Sequence, residues 1–213
     1  MYVFVRRDNM KAFRKTASAL LAVIMLTGLA SCAAKAEPFD HQTMTDFCWD
    51  QGFEKCVDPD ELIHIYSRIT AGAADAEGAY ITASGSEAND VYSLFMNRFT
   101  DMPAYDVDEA TTFVFLGEDG FFMGSVYTFK DAKEAGKFYK RFVRHFIDDG
   151  KQAEENGCTY ALSATINAIG ETELYSIYLK DNTALIVRGV CNDTGTADDL
   201  CTAYGVRSPS EEL

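Results

Sequence analysis

The chain has 213 residues, with 33 acidic and 19 basic side chains and a formal net charge of −14 at pH 7. A surface this acidic is repelled by nucleic acid and by anionic lipid headgroups, so neither is an expected partner. The sequence contains no P-loop, dinucleotide-binding or zinc-protease pattern and no EF-hand, so no cofactor and no metal site is predicted.

The N-terminal segment has the features of an export signal. Five basic side chains lie between residues 6 and 15, and an apolar run of 13 residues, from Ala17 to Leu29, follows them. A membrane-spanning helix needs roughly 20 apolar residues, so the run is too short to cross a bilayer. Met1 and Met10 are alternative starts, and Met10 gives the more conventional basic region.

The segment ends in Leu29-Ala30-Ser31-Cys32, which resembles the lipobox of bacterial lipoproteins. The resemblance implies that residues 1–31 are a signal peptide and that Cys32 becomes the lipid-bearing first residue. Two acyl chains give stable anchoring to the outer, extracytoplasmic face of the cell membrane. An ordinary signal peptide, with Cys32 just after its cleavage site, is the alternative. Residues 32–42 are then predicted to be a short tether.

The remaining residues, 43–213, have the length of a single domain. The first predicted elements are a helix over 43–52 and a short strand over 53–57. A second helix, ending near Ile69, begins at Asp58-Pro59, since Asp can cap a helix and Pro suits its first position.

An internal repeat is predicted next, because residues 80–101 match residues 127–148 at seven of 22 positions. Each copy has a strand with a Tyr, a capping residue three before a Glu (Ser84 and Asp131), and aromatics at helical spacing. The repeat units are assigned to 80–126 and 127–173.

The later elements are mostly strands. A hairpin over 111–129 turns at Gly117-Glu118-Asp119-Gly120. The helix of the second repeat copy then runs to about Glu155. An alternating strand over 158–166, a hairpin of 174–179 with 184–190, and a helix near 197–204 complete the chain. The fold class is therefore predicted as α+β, with two ferredoxin-like β-α-β units forming an antiparallel sheet with helices on one face.

Five cysteines follow Cys32, and two states are open for them. In an exported protein Cys48 can pair with Cys56, and Cys191 with Cys201, which leaves Cys158 over. Alternatively, all five are reduced, buried thiols.

No catalytic constellation is apparent. His41 is assigned to the tether, His64 to a partly buried helix position, and His145 to the solvent edge of a helix. Asp193, Asp198 and Asp199 form an acidic loop that either holds Ca²⁺ or, as is more usual, caps a helix. Phe121-Phe122 cannot both face inward on a one-sided sheet, so one is a candidate contact surface unless both faces are covered.

The mature part resembles small, uncharacterised lipoproteins of Gram-positive anaerobes. The resemblance rests on Asp46-Phe47 with Gly52, on Asn182-Thr183, and on Leu185-Ile186-Val187; the extra cysteines depart from it. Only lipidation of Cys32 carries over. The predicted function is a membrane-anchored, non-catalytic module that binds a protein, peptide or envelope component. The alternative is an extracytoplasmic hydrolase-like enzyme, with His64 or His145 in a cleft. A solute receptor of a transporter is less favoured, since such receptors are larger.

Overall fold

The structure is a computed structural model that describes residues 37–72, 76–97, 102–147 and 150–213. Cys32, the export segment and most of the proposed tether lie outside these residues. Residues 36–213 form one compact unit. None of the described helices is both long and apolar enough to cross a membrane.

Five α-helices and eight strands make up the described part of the chain. The helices are α1 (His41–Asp50), α2 (Pro59–Thr70), α3 (Ser86–Tyr92), α4 (Ala132–Phe146) and α5 (Gly195–Ala203). A π-helical turn (Ser93–Asn97) extends α3, and a 3-10 helix (Pro209–Glu212) lies near the C-terminus. The strands are β1 (Glu54–Lys55), β2 (Glu77–Ser84), β3 (Val107–Gly117), β4 (Gly120–Phe129), β5 (Lys151–Glu155), β6 (Cys158–Ile166), β7 (Thr172–Lys180) and β8 (Thr183–Cys191).

All eight strands form one sheet, in the order β1-β2-β3-β4-β8-β7-β6-β5. Only β1 and β2 run parallel, and every other neighbouring pair is antiparallel. The predicted α+β class is confirmed, as are both hairpins and the strand over 158–166. The prediction of helix to Glu155 is wrong, because α4 ends at Phe146 and β5 follows it.

Helix starts follow the capping chemistry in two cases and depart from it in a third. The Asp58 side chain accepts a hydrogen bond from the Glu61 amide, and Asp131 accepts one from the Glu134 amide, as predicted. Ser84 is instead the last residue of β2. Gly85 occupies the N-cap of α3 and makes no side-chain bond there.

The helices cover both faces of the sheet, which corrects the prediction that they share one face. Helices α2, α3 and α4 pack on one side, here called the α2–α4 face, and α1 and α5 pack on the other, the α1/α5 face. Alternate residues of each central strand point to opposite faces. On β2, for example, Ala79 and Ile81 belong to the first core and Tyr80 to the second.

The ferredoxin-like duplication is not confirmed. A β-α-β unit needs two parallel strands, but β2 and β3, which flank α3, are direct antiparallel neighbours. Strands β4 and β5, which flank α4, are separated by β8, β7 and β6. The two halves of the sequence repeat are therefore not equivalent units. Their shared aromatics, such as Tyr92 and Tyr139, match because both segments pack on the α2–α4 face.

Candidate functional site

A polar groove lies at the end of the sheet where α1 begins, and its volume is about 510 Å³. Its walls come from the first turn of α1, the ends of β2 and β4, and the starts of β3 and β8. The lining residues are Pro38, Phe39, Asp40, His41, Gln42, Thr45, Thr82, Glu109, Thr128, Asn182 and Thr183.

His41 is the central side chain of this groove, and only 8% of it is exposed. It is the first residue of α1, which Asp40 caps by accepting a hydrogen bond from the Gln42 amide. The imidazole Nδ1 lies 2.9 Å from Thr111 Oγ1, and Nε2 lies 2.9 Å from Thr128 Oγ1. Both ring nitrogens are therefore engaged with hydroxyl groups of the sheet.

The hydrogen-bond network selects one tautomer of His41. The Thr111 hydroxyl donates to Thr82 Oγ1 at 3.2 Å, so its oxygen accepts from the imidazole. Nδ1 then carries a proton, and in the neutral imidazole Nε2 accepts a hydrogen bond from the Thr128 hydroxyl.

Burial favours the same neutral state. Desolvation lowers the pKa of His41 from its ordinary value. The carboxylates of Glu109 and Asp40 act in the opposite direction, but their effect is smaller. Glu109 Oε2 is 3.9 Å from Nε2 and its side chain is 44% exposed, so water screens the attraction. The base of the groove therefore carries no positive charge near neutral pH.

A β-bulge brings Glu109 into the groove. The register of β3 on β4 shifts between Val107 and Glu109, so that Asp108 has no partner on β4. Bulges of this kind re-aim side chains and are frequent beside binding sites. Glu109 and Thr111 then lie on the same side of β3 and both face α1.

The arrangement only partly resembles a nucleophile and its base. In a catalytic triad the carboxylate binds Nδ1 and the nucleophile binds Nε2. Here the Thr111 hydroxyl, and not a carboxylate, contacts Nδ1. Glu109 instead lies near Nε2, the nitrogen that Thr128 contacts. The groove is better suited to hydrogen bonding a ligand than to activating Thr128.

The two other histidines do not form a site. His64 and His145 are both exposed, which corrects the expectation that His64 is partly buried. The His145 ring packs against Phe146. Neither side chain forms a hydrogen bond or ion pair with another described residue.

The five cysteines within the described residues are all buried free thiols, so neither predicted disulfide is formed. Cys48 belongs to the core of the α1/α5 face and Cys56 to that of the α2–α4 face, and the sheet separates them. Cys191 and Cys201 share one core but have other partners: the Cys191 thiol donates to the Thr172 carbonyl, and Cys201 Sγ lies 3.5 Å from the Tyr178 hydroxyl. The alternative of reduced, buried thiols describes the structure.

Burial also makes these thiols unreactive. It raises the pKa of Cys56, Cys158 and Cys191 to about 11 and that of Cys201 to about 12. The thiolate is the nucleophilic form, and almost none is present near neutral pH.

Cys158 lines a second groove of about 360 Å³, together with Tyr160, Lys180 and Arg207. Arg207 is already paired with Glu211 and Glu212, so fewer of its N–H groups are free to bind a ligand.

The Phe121-Phe122 pair does not form an exposed surface. Phe122 is buried in the core of the α1/α5 face, and Phe121 is half-buried against Tyr66 on the other. Both faces of the sheet are covered, so both rings pack inward. The predicted contact surface is wrong at these two residues.

The acidic residues around the start of α5 have a structural role, and Asp198 lies within the helix itself. Asp198 accepts hydrogen bonds from the hydroxyls of Thr194, Ser208 and Ser210. Asp193 accepts one from the Gly195 amide. Within the described ranges, no three Asp, Glu, His or Cys side chains are grouped closely enough to hold a metal ion.

Sequence reasoning missed His41 as a site residue because it placed the residue in the tether. The available signal was the motif Phe39-Asp40-His41, in which an apolar residue and an Asp precede a helix. Phe39 is buried and its amide donates to Thr183 Oγ1, so the folded part begins before residue 43. The threonines around His41 and Phe39 lie on four different strands: Thr82, Thr111, Thr128 and Thr183. They come together only because those strands are neighbours in the sheet.

Comparison with known proteins identifies no relative from sequence. No protein-family model matches the chain, and no curated protein matches it. One solved structure is similar, the extracellular domain of PknH from Mycobacterium tuberculosis, with 9% sequence identity and a TM-score of 0.40. The match covers 79% of this chain and 96% of that one. A similarity this distant carries no information on function.

Proposed function

We propose that this protein is an exported lipoprotein, anchored through Cys32, whose domain binds a small polar ligand in the His41 groove. The lipobox-like sequence Leu29-Ala30-Ser31-Cys32 supports the anchor. Six residues separate Cys32 from Phe39, and a fully extended chain of this length spans at most about 25 Å. The domain therefore works close to the outer face of the membrane.

One observation carries the binding proposal: a neutral imidazole lies at the base of an open groove whose rim holds hydroxyls, amides and two carboxylates. Hydroxyls of Thr45, Thr82 and Thr128 line it beside Asp40 and Glu109. Carboxylates accept hydrogen bonds, and the groove has no Lys or Arg among its lining residues. It fits an uncharged or cationic ligand rich in hydroxyl or amine donors, such as a sugar of the cell envelope, and disfavours an anionic one.

The anchor is tested by mass spectrometry of the protein isolated from membranes of an expressing bacterium. We expect a mature chain that begins at Cys32 and carries acyl chains on it. Cys32→Ser should accumulate unprocessed or in the soluble fraction. An unmodified N-terminus at another residue would contradict the proposal.

The groove is tested by NMR titration of residues 36–213 with oligosaccharides of N-acetylglucosamine, chosen as uncharged, hydroxyl-rich and amide-rich probes. We expect chemical-shift changes confined to the groove, and weaker binding by Glu109→Gln, which loses the charge and replaces one of the two acceptor oxygens with a donor. Glu155→Gln removes an exposed acid outside the groove and should bind like the unaltered domain. Shifts elsewhere, or equal binding by Glu109→Gln, would refute the groove as the site.

A hydrolase is the second candidate, and the contact between Thr128 and His41 is what favours it. Thr128 Oγ1 lies 2.9 Å from Nε2, within the distance at which a nucleophilic hydroxyl donates to its base. An activity-based fluorophosphonate probe should then label the unaltered domain and fail to label Thr128→Val and His41→Gln. Absence of labelling in the unaltered domain would dispose of this candidate.

A further inference from the structure

Among the residues that the structure describes, the strongest concentration of positive charge lies on α4. After residue 31 the chain has 14 basic side chains, since five of the 19 lie in the first 31 residues. Five of these 14 lie on α4, which has a single acid, Glu134. In a chain whose net charge is strongly negative, this is a local reversal of sign.

The five basic residues form one stripe. Lys133, Lys137, Lys140, Arg141 and Arg144 follow one another at intervals of one to four residues, so they share the face opposite the buried one. All five are exposed. The buried face contains Phe138 and Phe142, which belong to the core of the α2–α4 face.

Most of these side chains are not paired with an acid in the described part of the chain. Lys137 is paired with Glu134. Lys133, Lys140, Arg141 and Arg144 form no ion pair with any residue that the structure describes. Like charges at this spacing repel each other along a helix, so the stripe does not stabilise α4 by itself.

A shallow groove of about 530 Å³ runs beside the stripe. It is lined by Pro103, Tyr105, Lys137, Lys140, Arg141 and Arg144. The half-buried Tyr105 places an aromatic ring beside four cations, a combination that suits the headgroup region of a bilayer.

The stripe begins at the end of the domain from which the proposed anchor leaves. Thr128 is hydrogen-bonded to His41, and Asp131, the cap of α4, follows Thr128 by three residues. That stretch of chain spans at most about 11 Å. The start of α4 is therefore near the point where residues 37–41 enter the fold, within reach of a membrane to which Cys32 is attached.

We propose that the basic stripe of α4 docks the domain on the anionic phosphate headgroups of the membrane surface. The inference rests on the proposed anchor for its orientation. It differs from the expectation, drawn from the net charge, that anionic lipid is repelled: screening limits each charge to about 10 Å, so a local stripe acts independently of the distant acids.

The contact is with headgroups only. The apolar face of α4 is buried in the domain, so the helix cannot insert it among acyl chains as an interfacial amphipathic helix does. Binding should therefore depend on the anionic lipid fraction and weaken strongly as salt rises from about 0.1 M to about 1 M.

The test uses residues 36–213, one compact unit with both cores, and therefore does not depend on lipidation of Cys32. Its sedimentation with phosphatidylglycerol vesicles is compared with its sedimentation with phosphatidylcholine vesicles. We expect binding only to the anionic vesicles. Lys140→Gln with Arg144→Gln should weaken it by roughly fivefold for each charge removed.

The matched control is Lys55→Gln with Lys151→Gln, which changes the net charge equally at exposed residues of the two edge strands. It should bind like the unaltered domain, and circular dichroism should show all variants folded. Equal sedimentation with both lipids, or equal loss in the control, overturns the proposal. So does concentration-dependent dimerisation that the α4 double variant abolishes, since the stripe would then bind the acidic surface of a second copy.

Discussion

The two faces of the sheet both have apolar cores, but only the α1/α5 face carries the His41 network. The α2–α4 face is packed with aromatic rings: Phe138 contacts Phe129 at 4.9 Å between ring centres, Tyr92 at 5.9 Å and Phe142 at 6.0 Å. The α1/α5 face holds four of the five buried thiols and, at one end, the His41 network. Aromatic rings also pack on the α1/α5 face, where Phe113 contacts Phe47 and Phe53, so the faces differ in the polar groove and not in their cores.

The aromatic cores and the His41 network therefore differ in what they contribute: the cores stabilise the fold, and the network forms the proposed binding groove. Aromatic burial supplies a large part of the hydrophobic free energy of folding and needs no exact hydrogen-bond partners. A buried imidazole lowers the stability of the fold unless both of its nitrogens are hydrogen-bonded. We therefore expect substitutions of buried aromatic rings to act by cavity formation and those in the His41 network to act by unsatisfied polar groups.

The largest effect is expected from Phe138→Ala. The ring is fully buried among aromatic neighbours, and its removal should lower the free energy of unfolding by about 3–5 kcal/mol. Urea denaturation of residues 36–213 measures this change. Trp49→Ala is the control, because Trp49 is 75% exposed and its loss should cost less than about 0.5 kcal/mol.

A smaller loss is expected from Thr111→Val on the other face. Valine keeps the shape but leaves the His41 Nδ1 proton buried without an acceptor, which costs about 1–3 kcal/mol. Thr202→Val, at an exposed residue of α5 outside this network, should change stability little. Equal losses from the two variants would contradict the network.

The next effect is a pH dependence of stability that belongs to His41. Its pKa is lower in the folded than in the unfolded chain, so the unfolded chain binds more protons just below pH 6.5. Stability should be fully present above about pH 6.5 and fall as the pH drops below it, by at most about 1.4 kcal/mol per pH unit. His41→Gln should remove this slope. His145→Gln, at an exposed residue, should retain it.

A matched pair of tyrosines compares the faces directly. The Tyr178 hydroxyl donates to the Arg207 carbonyl at 2.6 Å, so Tyr178→Phe should cost about 1 kcal/mol. The Tyr139 hydroxyl is buried on the α2–α4 face without a partner among the described residues, so Tyr139→Phe should be neutral or stabilising. Thermal unfolding of both variants measures the two changes in stability. A larger loss from Tyr139→Phe than from Tyr178→Phe would contradict the prediction.

The smallest effect is expected when the thiols of the folded domain are treated with a labelling reagent. All five are buried, so a disulfide reagent at about pH 8 should modify the folded domain slowly and the denatured one at every Cys. Rapid labelling without denaturant, or a mass lower by two hydrogens per disulfide, would show that the thiols are exposed or paired.

The sequence by itself determined the local structure of much of this domain. Asp58 and Asp131 cap their helices as predicted, since a cap depends on residues three positions apart. The alternating strand over 158–166 and the hairpin around Asp181-Asn182 are also local patterns, and both were found.

Tertiary structure alone decided the strand order, the covering of both sheet faces and the groove. His41, Thr111 and Thr128 are up to 87 residues apart in the chain, and their convergence follows from which strands are neighbours. The separation of Cys48 from Cys56, and the burial of both Phe121 and Phe122, follow from the two-sided sheet. Periodicity shows which side chains share a face of a strand, but not what lies against that face, because the latter depends on contacts between distant segments.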